Sequence, residues 1–269
     1  MARSTNRIHD IEIIEDSDDL PESAPAIVMI HGWPDTWRLW DDQVVALRSR
    51  YRCFRFTLPG FDINAAARPT SLAQMIELCS AIVGHAGRGR PVTLLLHDWG
   101  CLFGYQFALA RPDMVARVIG VDVGDAASPA FKNSLSAKAK LMVAGYQLWL
   151  VLAWKIGGQL GDRMTRRMAK ALPCTSDPAR IGVQMNYPYA MRWLGAFGGL
   201  KGVKTVLPVW PMLFIYGQRK PFMFHSTGWA QDLVARPGSA VLGLRAGHWV
   251  MRDQPEAFNQ AVLDWLAKS

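Results

Sequence analysis

The chain has 269 residues, of which 50% are hydrophobic and 19% are charged, and its formal net charge at pH 7 is +8. This length and apolar fraction suit one large core with room for an inserted subdomain. The 30 lysines and arginines are scattered and are not interleaved with aromatic residues, so we expect a solvated basic surface and no nucleic-acid partner.

The cysteines and the N-terminus indicate the compartment. The four cysteines are widely spaced, with no CxxC pair and no histidine at metal-ligand spacing, which predicts free thiols and no metal site. Residues 1–19 contain no apolar stretch that could act as a secretory signal, so cytoplasmic residence is expected. The apolar run over residues 141–158 is interrupted by Gln147 and Lys155 and is shorter than the ~20 residues of a membrane span. We expect a helix that covers a pocket, and membrane contact is disfavoured.

Short apolar runs, which predict strands buried on both faces, alternate with helix-like stretches along the chain. In chain order we predict strand 26–30, helix 37–47, strand 53–56, helix 72–83, strand 92–96, helix 100–110, strand 118–123, strand 212–216, helix 227–235, strand 240–244 and helix 256–267. Ser71 and Gln74 form a capping box before the second helix. The alternation predicts an α/β fold with a mainly parallel sheet flanked by helices.

The stretch between the fourth and fifth of these strands breaks the alternation. It is rich in Trp, Met, Leu, Lys and Arg at helical spacing and contains no convincing strand. We therefore divide the chain into a core made of residues 1–128 and 208–269 and an inserted helical cap over residues 129–207.

The third apolar run leads into LLLHDWGCLFGY (residues 94–105), which places Asp98 between a strand and a helix. A tight strand-to-helix turn is where α/β hydrolases display their nucleophile. Gly100 lets the helix leave close to the strand, and the helix N-terminus favours negative charge. A carboxylate can attack an sp3 carbon without a base and form an alkyl-enzyme ester. We predict Asp98 as this nucleophile, although an isolated aspartate here could simply cap the helix.

The motif HDWG (residues 97–100) resembles the nucleophile turn of epoxide hydrolases and haloalkane dehalogenases. The resemblance extends through HGWPDTWRLW (residues 31–40) and AGHW (residues 246–249) and is weakest in the insertion. It implies an α/β-hydrolase fold with a cap inserted after the sixth strand. Epoxide hydrolases usually have glycine two residues before the nucleophile, whereas this chain has Leu96, as in many dehalogenases. The turn alone therefore does not distinguish an epoxide hydrolase from a haloalkane dehalogenase.

The resemblance also implies roles for residues around the turn. It puts the oxyanion-hole N–H groups at Trp33 and Trp99, where they would stabilise the tetrahedral intermediate of ester hydrolysis. His248 follows the last predicted strand and is expected to act as the general base toward water. His31 is expected to be a structural hydrogen-bonding residue, and the bond before Pro34 is a candidate for the cis isomer.

The carboxylate that orients His248 departs from the epoxide hydrolase pattern. Those enzymes commonly carry an aspartate after the YG of the next-to-last strand, but YGQRKPFMFHS (residues 216–226) offers Arg219 and Lys220 instead. The preceding strand is followed by VIGVDVGDAASP (residues 118–129). We expect Asp125 to be the partner and keep Asp122, placed inside the strand, as the alternative. Lys220 is expected to face solvent, with an ion pair in the vacated acid position as the alternative.

Epoxide hydrolases resemble one another in two lid tyrosines that hold and protonate the epoxide oxygen as the ring opens. The stretch AGYQLW points to Tyr146, and MNYPYAMRW points to Tyr189 or Tyr187, with Tyr189 preferred. Trp149 and Tyr187 are further candidates for substrate contact in an apolar pocket.

The function that the resemblance implies is hydrolysis of small apolar epoxides by water to vicinal diols, with no metal or organic cofactor. Haloalkane dehalogenation by the same aspartate, histidine and acid is the alternative. A non-catalytic member of the fold that binds a ligand is a third possibility. The sequence leaves the oligomeric state open.

Overall fold

The computed structural model describes residues 2–268, and in this part of the chain eight strands form one sheet. The strands are β1 (Ala2–Ile8), β2 (Ile11–Ser17), β3 (Ala26–Ile30), β4 (Arg52–Phe56), β5 (Val92–His97), β6 (Val115–Val121), β7 (Met212–Gly217) and β8 (Ala240–Leu244). Their order across the sheet is β1-β2-β4-β3-β5-β6-β7-β8. β2 is antiparallel to both β1 and β4, and the other neighbouring pairs are parallel. This is the arrangement of the α/β-hydrolase fold.

All six predicted strands are present, and the structure adds β1 and β2 at the antiparallel edge. These two contain many polar residues, and β2 mixes buried, half-buried and exposed side chains, because an antiparallel edge can leave one face in water. They therefore lack the continuous apolar run that marks the central strands. The fourth predicted strand was placed too far along the chain, since β6 ends at Val121 and Asp122 lies just beyond it.

Helices cover both faces of the sheet and create two apolar clusters. They are α1 (Asp41–Leu47), α2 (Leu72–Gly87), α3 (Trp99–Ala110), α8 (Thr227–Val234), α9 (Val250–Asp253) and α10 (Pro255–Lys268). Successive side chains of β3 enter opposite clusters: Val28 packs with α2 and α3, whereas Met29 packs with α1 and α10. The predicted capping box of Ser71 and Gln74 begins α2. Because β3 is buried on both faces, its sequence is continuously apolar.

Residues 129–207, here called the helical segment, follow β6 and contain no strand. The helices are α4 (Pro129–Ser134), α5 (Ala137–Ile156), α6 (Gly158–Ala171) and α7 (Tyr187–Leu194). Buried side chains of this segment, including Leu150, Val151 and Met185, join the same apolar cluster as β3 and β5. No helix within residues 2–268 is both long enough and apolar enough to cross a bilayer.

Candidate active site

Asp98 lies at a sharp turn between β5 and α3. Its backbone has φ 53° and ψ −122°, a left-handed conformation that costs free energy for a residue other than glycine. Two neighbouring glycines allow the close packing of this turn. A Cβ on Gly100 would stand 2.3 Å from the carbonyl oxygen of Ile30, and one on Gly32 would stand 2.4 Å from the Asp98 side chain. The turn thus presents the carboxylate at the carboxyl edge of the sheet.

Two backbone N–H groups hold the Asp98 carboxylate, and they are the ones expected from the sequence. Trp33 N–H donates to Oδ1 at 2.7 Å, and Trp99 N–H also donates to the carboxylate. The bond between Trp33 and Pro34 is cis. Burial raises the pKa of Asp98, but hydrogen bonding and charge from His248, together with the Trp99 N–H, outweigh it and leave the pKa below its usual value. Asp98 is therefore a carboxylate near neutral pH.

His248 lies in the loop that follows β8, and its ring stands between two carboxylates. Its Nε2 lies 3.4 Å from Asp98 Oδ2, and its Nδ1 lies 2.5 Å from Asp122 Oδ2. Burial lowers the pKa of His248, but Asp122 and then Asp98 outweigh burial and raise the pKa to about 9. One ring nitrogen thus faces the predicted nucleophile while the other is held by an acid.

The expectation that Asp125 is the partner of His248 is wrong. Asp125 is buried and accepts hydrogen bonds from Ser128 Oγ at 2.6 Å and from Ser226 N–H at 2.7 Å and Ser226 Oγ at 2.8 Å. Both serines cap helices, so these bonds tie loops together away from His248. The partner is Asp122, the residue we expected inside the strand.

The strand register contains the signal that could have identified Asp122. His97 and Val121 are paired neighbours at the ends of the parallel strands β5 and β6. The residues that follow them, Asp98 and Asp122, therefore leave the sheet side by side at one edge. Spacing along the chain does not show this register, since the end of β6 was misplaced.

Lys220 also contradicts expectation, because it contacts Asp122 and does not face solvent. Its ammonium is hydrogen-bonded to Asp122 Oδ1, and its side chain is 8% exposed. The Gly217 N–H donates to the same oxygen at 2.9 Å. Burial raises the pKa of Asp122, but the charges of His248 and Lys220 outweigh it and lower the pKa to about 2. Asp122 thus remains ionised although it is buried.

A cavity of about 510 Å³ opens over Asp98 and His248 and is lined by Tyr146 and Tyr189. The centroids of the two tyrosine rings are 6.2 Å apart. Burial raises the pKa of Tyr146 to about 12 and that of Tyr189 well above its ordinary value. Both phenols are therefore protonated near neutral pH and can donate a proton.

Tyr187 and Trp149, the other two candidates for substrate contact, do not line this cavity. The Tyr187 ring packs against Phe61, with ring centroids 6.0 Å apart, and the Trp149 indole donates to the carbonyl oxygen of Met164 at 3.0 Å. Of the two alternatives in the NYPY stretch, Tyr189 is the one beside Asp98.

A model of the Alpha/beta hydrolase family matches residues 27–261. The chain belongs to this family. Its relatives include the probable oxidoreductase EphD of Mycobacterium tuberculosis, 34% identical over 97 residues that make up 35% of this chain and 16% of the relative. Epoxide hydrolase 1 of Caenorhabditis elegans is 22% identical over 92% of this chain and 66% of the relative. The chain thus spans less than two thirds of either relative.

Solved structures show the same α/β-hydrolase architecture over almost the whole chain. Epoxide hydrolase A from Mycobacterium thermoresistibile aligns over 99% of this chain and 98% of that one, with a TM-score of 0.67 and 20% identity. A loop variant of a haloalkane dehalogenase from Bradyrhizobium elkanii aligns over 99% and 96%, with a TM-score of 0.65 and 15% identity. At these identities the likeness concerns the fold alone.

A group of buried polar residues behind the candidate active site was not predicted from the sequence. His97 Nε2 lies 3.1 Å from the carbonyl oxygen of His248, and His97 Nδ1 lies 4.0 Å from Asp35. Asp35 accepts from the Trp249 indole at 2.9 Å and is hydrogen-bonded to the Ser176 hydroxyl of the helical segment. Asp35 therefore connects that segment to the loop that carries His248. The available signal in the sequence was Asp35 itself, an acidic residue in the HGWPD motif directly after a buried apolar strand.

His31 has the structural role that we expected. Its Nδ1 is hydrogen-bonded to the carbonyl oxygen of Gly32 at 2.9 Å, and its Nε2 accepts from the Leu58 N–H at 2.9 Å. Burial lowers the pKa of His31 to about 4, so the ring is neutral and fixes two loops at the edge of the sheet.

Proposed function

We propose that this chain is an epoxide hydrolase that opens apolar epoxides to vicinal diols through an ester on Asp98. The observation that carries the proposal is that two protonated phenols, Tyr189 buried and Tyr146 partly buried, line the same cavity as Asp98 and His248. A carboxylate nucleophile suits attack on an epoxide carbon, and opening the ring requires a proton for the departing oxygen.

In the proposed first step, an oxygen of Asp98 attacks one epoxide carbon. A new C–O bond forms to the enzyme while the epoxide C–O bond breaks, and the electron pair of that bond stays on the departing oxygen. Tyr146 or Tyr189 donates its hydroxyl proton to this oxygen. The Tyr146 oxygen accepts a hydrogen bond from Gln147 Nε2 at 3.0 Å, which leaves its own proton free for the substrate. The result is a hydroxyalkyl ester and a phenolate.

In the proposed second step, water attacks the ester carbonyl carbon and His248 takes a proton from that water. The N–H groups of Trp33 and Trp99 hold the oxyanion, since both already contact the Asp98 carboxylate. The bond between the carbonyl carbon and the substrate oxygen then breaks, and this oxygen takes the proton of the added hydroxyl, which gives the diol and the Asp98 carboxylate. The proton held by His248 returns the phenolate to the phenol. Ester formation also neutralises Asp98. This removes one of the charges that raise the pKa of His248, so the ring becomes a base when it is needed.

The proposed substrate class follows from the lining of the cavity. Apolar side chains surround the reacting groups, among them Met142, Leu172, Phe222 and Phe224, and such walls favour apolar ligands. Met142, Tyr146 and Tyr189 belong to the helical segment, which we propose acts as a cap that covers the substrate.

The hydrogen bond of the Trp33 indole favours epoxide opening over dehalogenation. A dehalogenase needs free donors to hold the halide ion. The Trp33 indole donates to Asn186 Oδ1 at 2.8 Å, so this donor is already engaged. The Trp99 ring stands edge-on to the Tyr189 ring, with centroids 5.3 Å apart, which puts the phenol beside the predicted nucleophile.

Mass spectrometry of the intact His248→Gln variant tests the proposal. The variant is mixed with a panel of apolar epoxides and, separately, with a panel of haloalkanes, because blocking hydrolysis should trap the ester. We expect an adduct equal in mass to the whole epoxide, which disappears when Asp98→Asn is added. An adduct that has lost halogen, formed only from haloalkanes, would instead indicate a dehalogenase. No adduct from either panel, with an inactive wild type, would favour a binding role.

A further inference from the structure

We propose that Lys220 is a positioning residue that acts on His248 through Asp122, the carboxylate that both side chains share. The inference deepens the proposed function and rests on it, because it assigns a role in preparing the general base. Lys220 stands after β7, at the edge of the sheet where Asp98, Asp122 and His248 also meet.

The two carboxylate oxygens of Asp122 contact different residues. Oδ2 faces His248 Nδ1 at 2.5 Å, whereas Oδ1 receives the Lys220 ammonium and the Gly217 N–H. Asp122 has no exposed surface, so water does not compete for either oxygen. With Oδ1 held on one side by Lys220 and Gly217, the carboxylate cannot rotate freely, and Oδ2 remains directed at His248. Lys220 therefore orients the partner of the base without touching the base itself.

The same arrangement limits how strongly Asp122 stabilises the charged form of His248. A carboxylate that already has an ammonium partner attracts an imidazolium less, and the ammonium repels that imidazolium. A neutral side chain at position 220 should leave Asp122 to His248 alone. The imidazolium would then be more stable, and a higher pH would be needed to obtain the neutral base. Lys220 thus keeps His248 available for proton transfer at lower pH.

The neighbouring titratable groups do not replace this effect. The groups whose charges act on Lys220, Asp122 or His248 include Asp35, His97, Asp98 and His225. Tyr146, Tyr189, Arg219 and Asp253 line the cavity beside His248. Burial lowers the pKa of His97 to about 3 and that of His225 to about 4, so both rings are neutral near pH 7. The two tyrosines are protonated, the aspartates are carboxyls, and Arg219 is exposed to solvent. Lys220 is therefore the buried cation that is paired with the partner of His248.

The test is an NMR titration of the His248 imidazole in the full chain, which requires no turnover. In Lys220→Met, and in Lys220→Gln if the first variant folds poorly, we expect the titration midpoint of His248 to rise by about one pH unit. Lys220→Arg should restore the wild-type midpoint, because it restores the charge. Arg245→Met is the matched control, since Arg245 is exposed on the same loop as His248, and it should leave the midpoint unchanged.

A second readout connects the titration to chemistry. The rate of ester hydrolysis in single-turnover mixtures should require a higher pH in Lys220→Met than in the wild type, while Arg245→Met should follow the wild type. An unchanged His248 midpoint in both neutral variants would overturn the inference, and so would a change confined to KM. Failure of the proposed function would look different, because no adduct would form on Asp98 whatever the midpoint of His248.

Discussion

Replacing Asp122 with asparagine should slow hydrolysis of the Asp98 ester, because it removes the charge that stabilises protonated His248. The amide oxygen can still accept from the Gly217 N–H, so the backbone contact is kept. In the ester, Asp98 is neutral as well, and burial then acts on His248 without an opposing charge. We expect the pKa of His248 in this state to fall below its ordinary value of 6.5.

The expected size of the effect follows from the pKa of His248. Its rise from 6.5 to about 9 means that the nearby charges favour the imidazolium by about 3 kcal/mol beyond the cost of burial, at ~1.4 kcal/mol per unit. Asp122 is the largest contributor to this rise. Because His248 becomes an imidazolium as water attacks, losing most of that energy corresponds to a roughly 100-fold slower hydrolysis.

The assay is rapid mixing with epoxide followed by mass spectrometry of the intact protein, which separates ester formation from ester hydrolysis. Asp122→Asn should form the ester and release it slowly. Asp125→Asn is the matched control: it loses contacts to two serines and about 1–3 kcal/mol of stability, but it should hydrolyse the ester at the wild-type rate per folded molecule. Wild-type hydrolysis in Asp122→Asn, or a loss found only in Asp125→Asn, would refute the assignment.

Other predictions follow from particular contacts. Tyr146→Phe or Tyr189→Phe should slow adduct formation about 100-fold by removing a proton donor, whereas Tyr187→Phe should not; equal effects of all three would contradict the assignment. Gly100→Ala should lower the free energy of unfolding in urea by about 3 kcal/mol, since its Cβ would overlap a backbone oxygen; a change under ~0.5 kcal/mol would argue against that close approach. Burial raises the pKa of Asp35 from 3.8 to about 6. Above pH 6 the folded protein must therefore hold a buried, ionised Asp35, which lowers its stability, whereas below pH 3.8 the group is protonated in both states and this cost is absent. Asp35→Asn should therefore be less destabilising near pH 7 than near pH 4 in thermal melts, and equal losses at both pH values would count against this.

The local sequence pattern was sufficient to predict the strands at the centre of the sheet and the positions of Asp98 and His248 at its edge. Strands at the centre of the sheet, such as β3, are buried on both faces and therefore apolar, so they are visible as runs in the sequence. β4 carries two buried arginines and β8 is only half-buried, but each still contains a short apolar run. Asp98 directly follows β5 and His248 stands a few residues beyond β8, and the carboxyl ends of parallel strands meet at one edge of the sheet. The half-exposed strands β1 and β2 lack that apolar run and were not predicted.

The remaining site depended on contacts between segments far apart in the chain. Whether Asp122 or Asp125 reaches His248 depends on where β6 ends and how it pairs with β5, and a shift of a few residues exchanges the two. Lys220 is buried because a carboxylate from another strand stands opposite it. These are properties of strand register and packing, and they arise only when the segments are brought together. The sequence by itself determined the six central strands and the place of the predicted nucleophile at the end of one of them, and the tertiary structure decided which acid, which lysine and which tyrosines surround it.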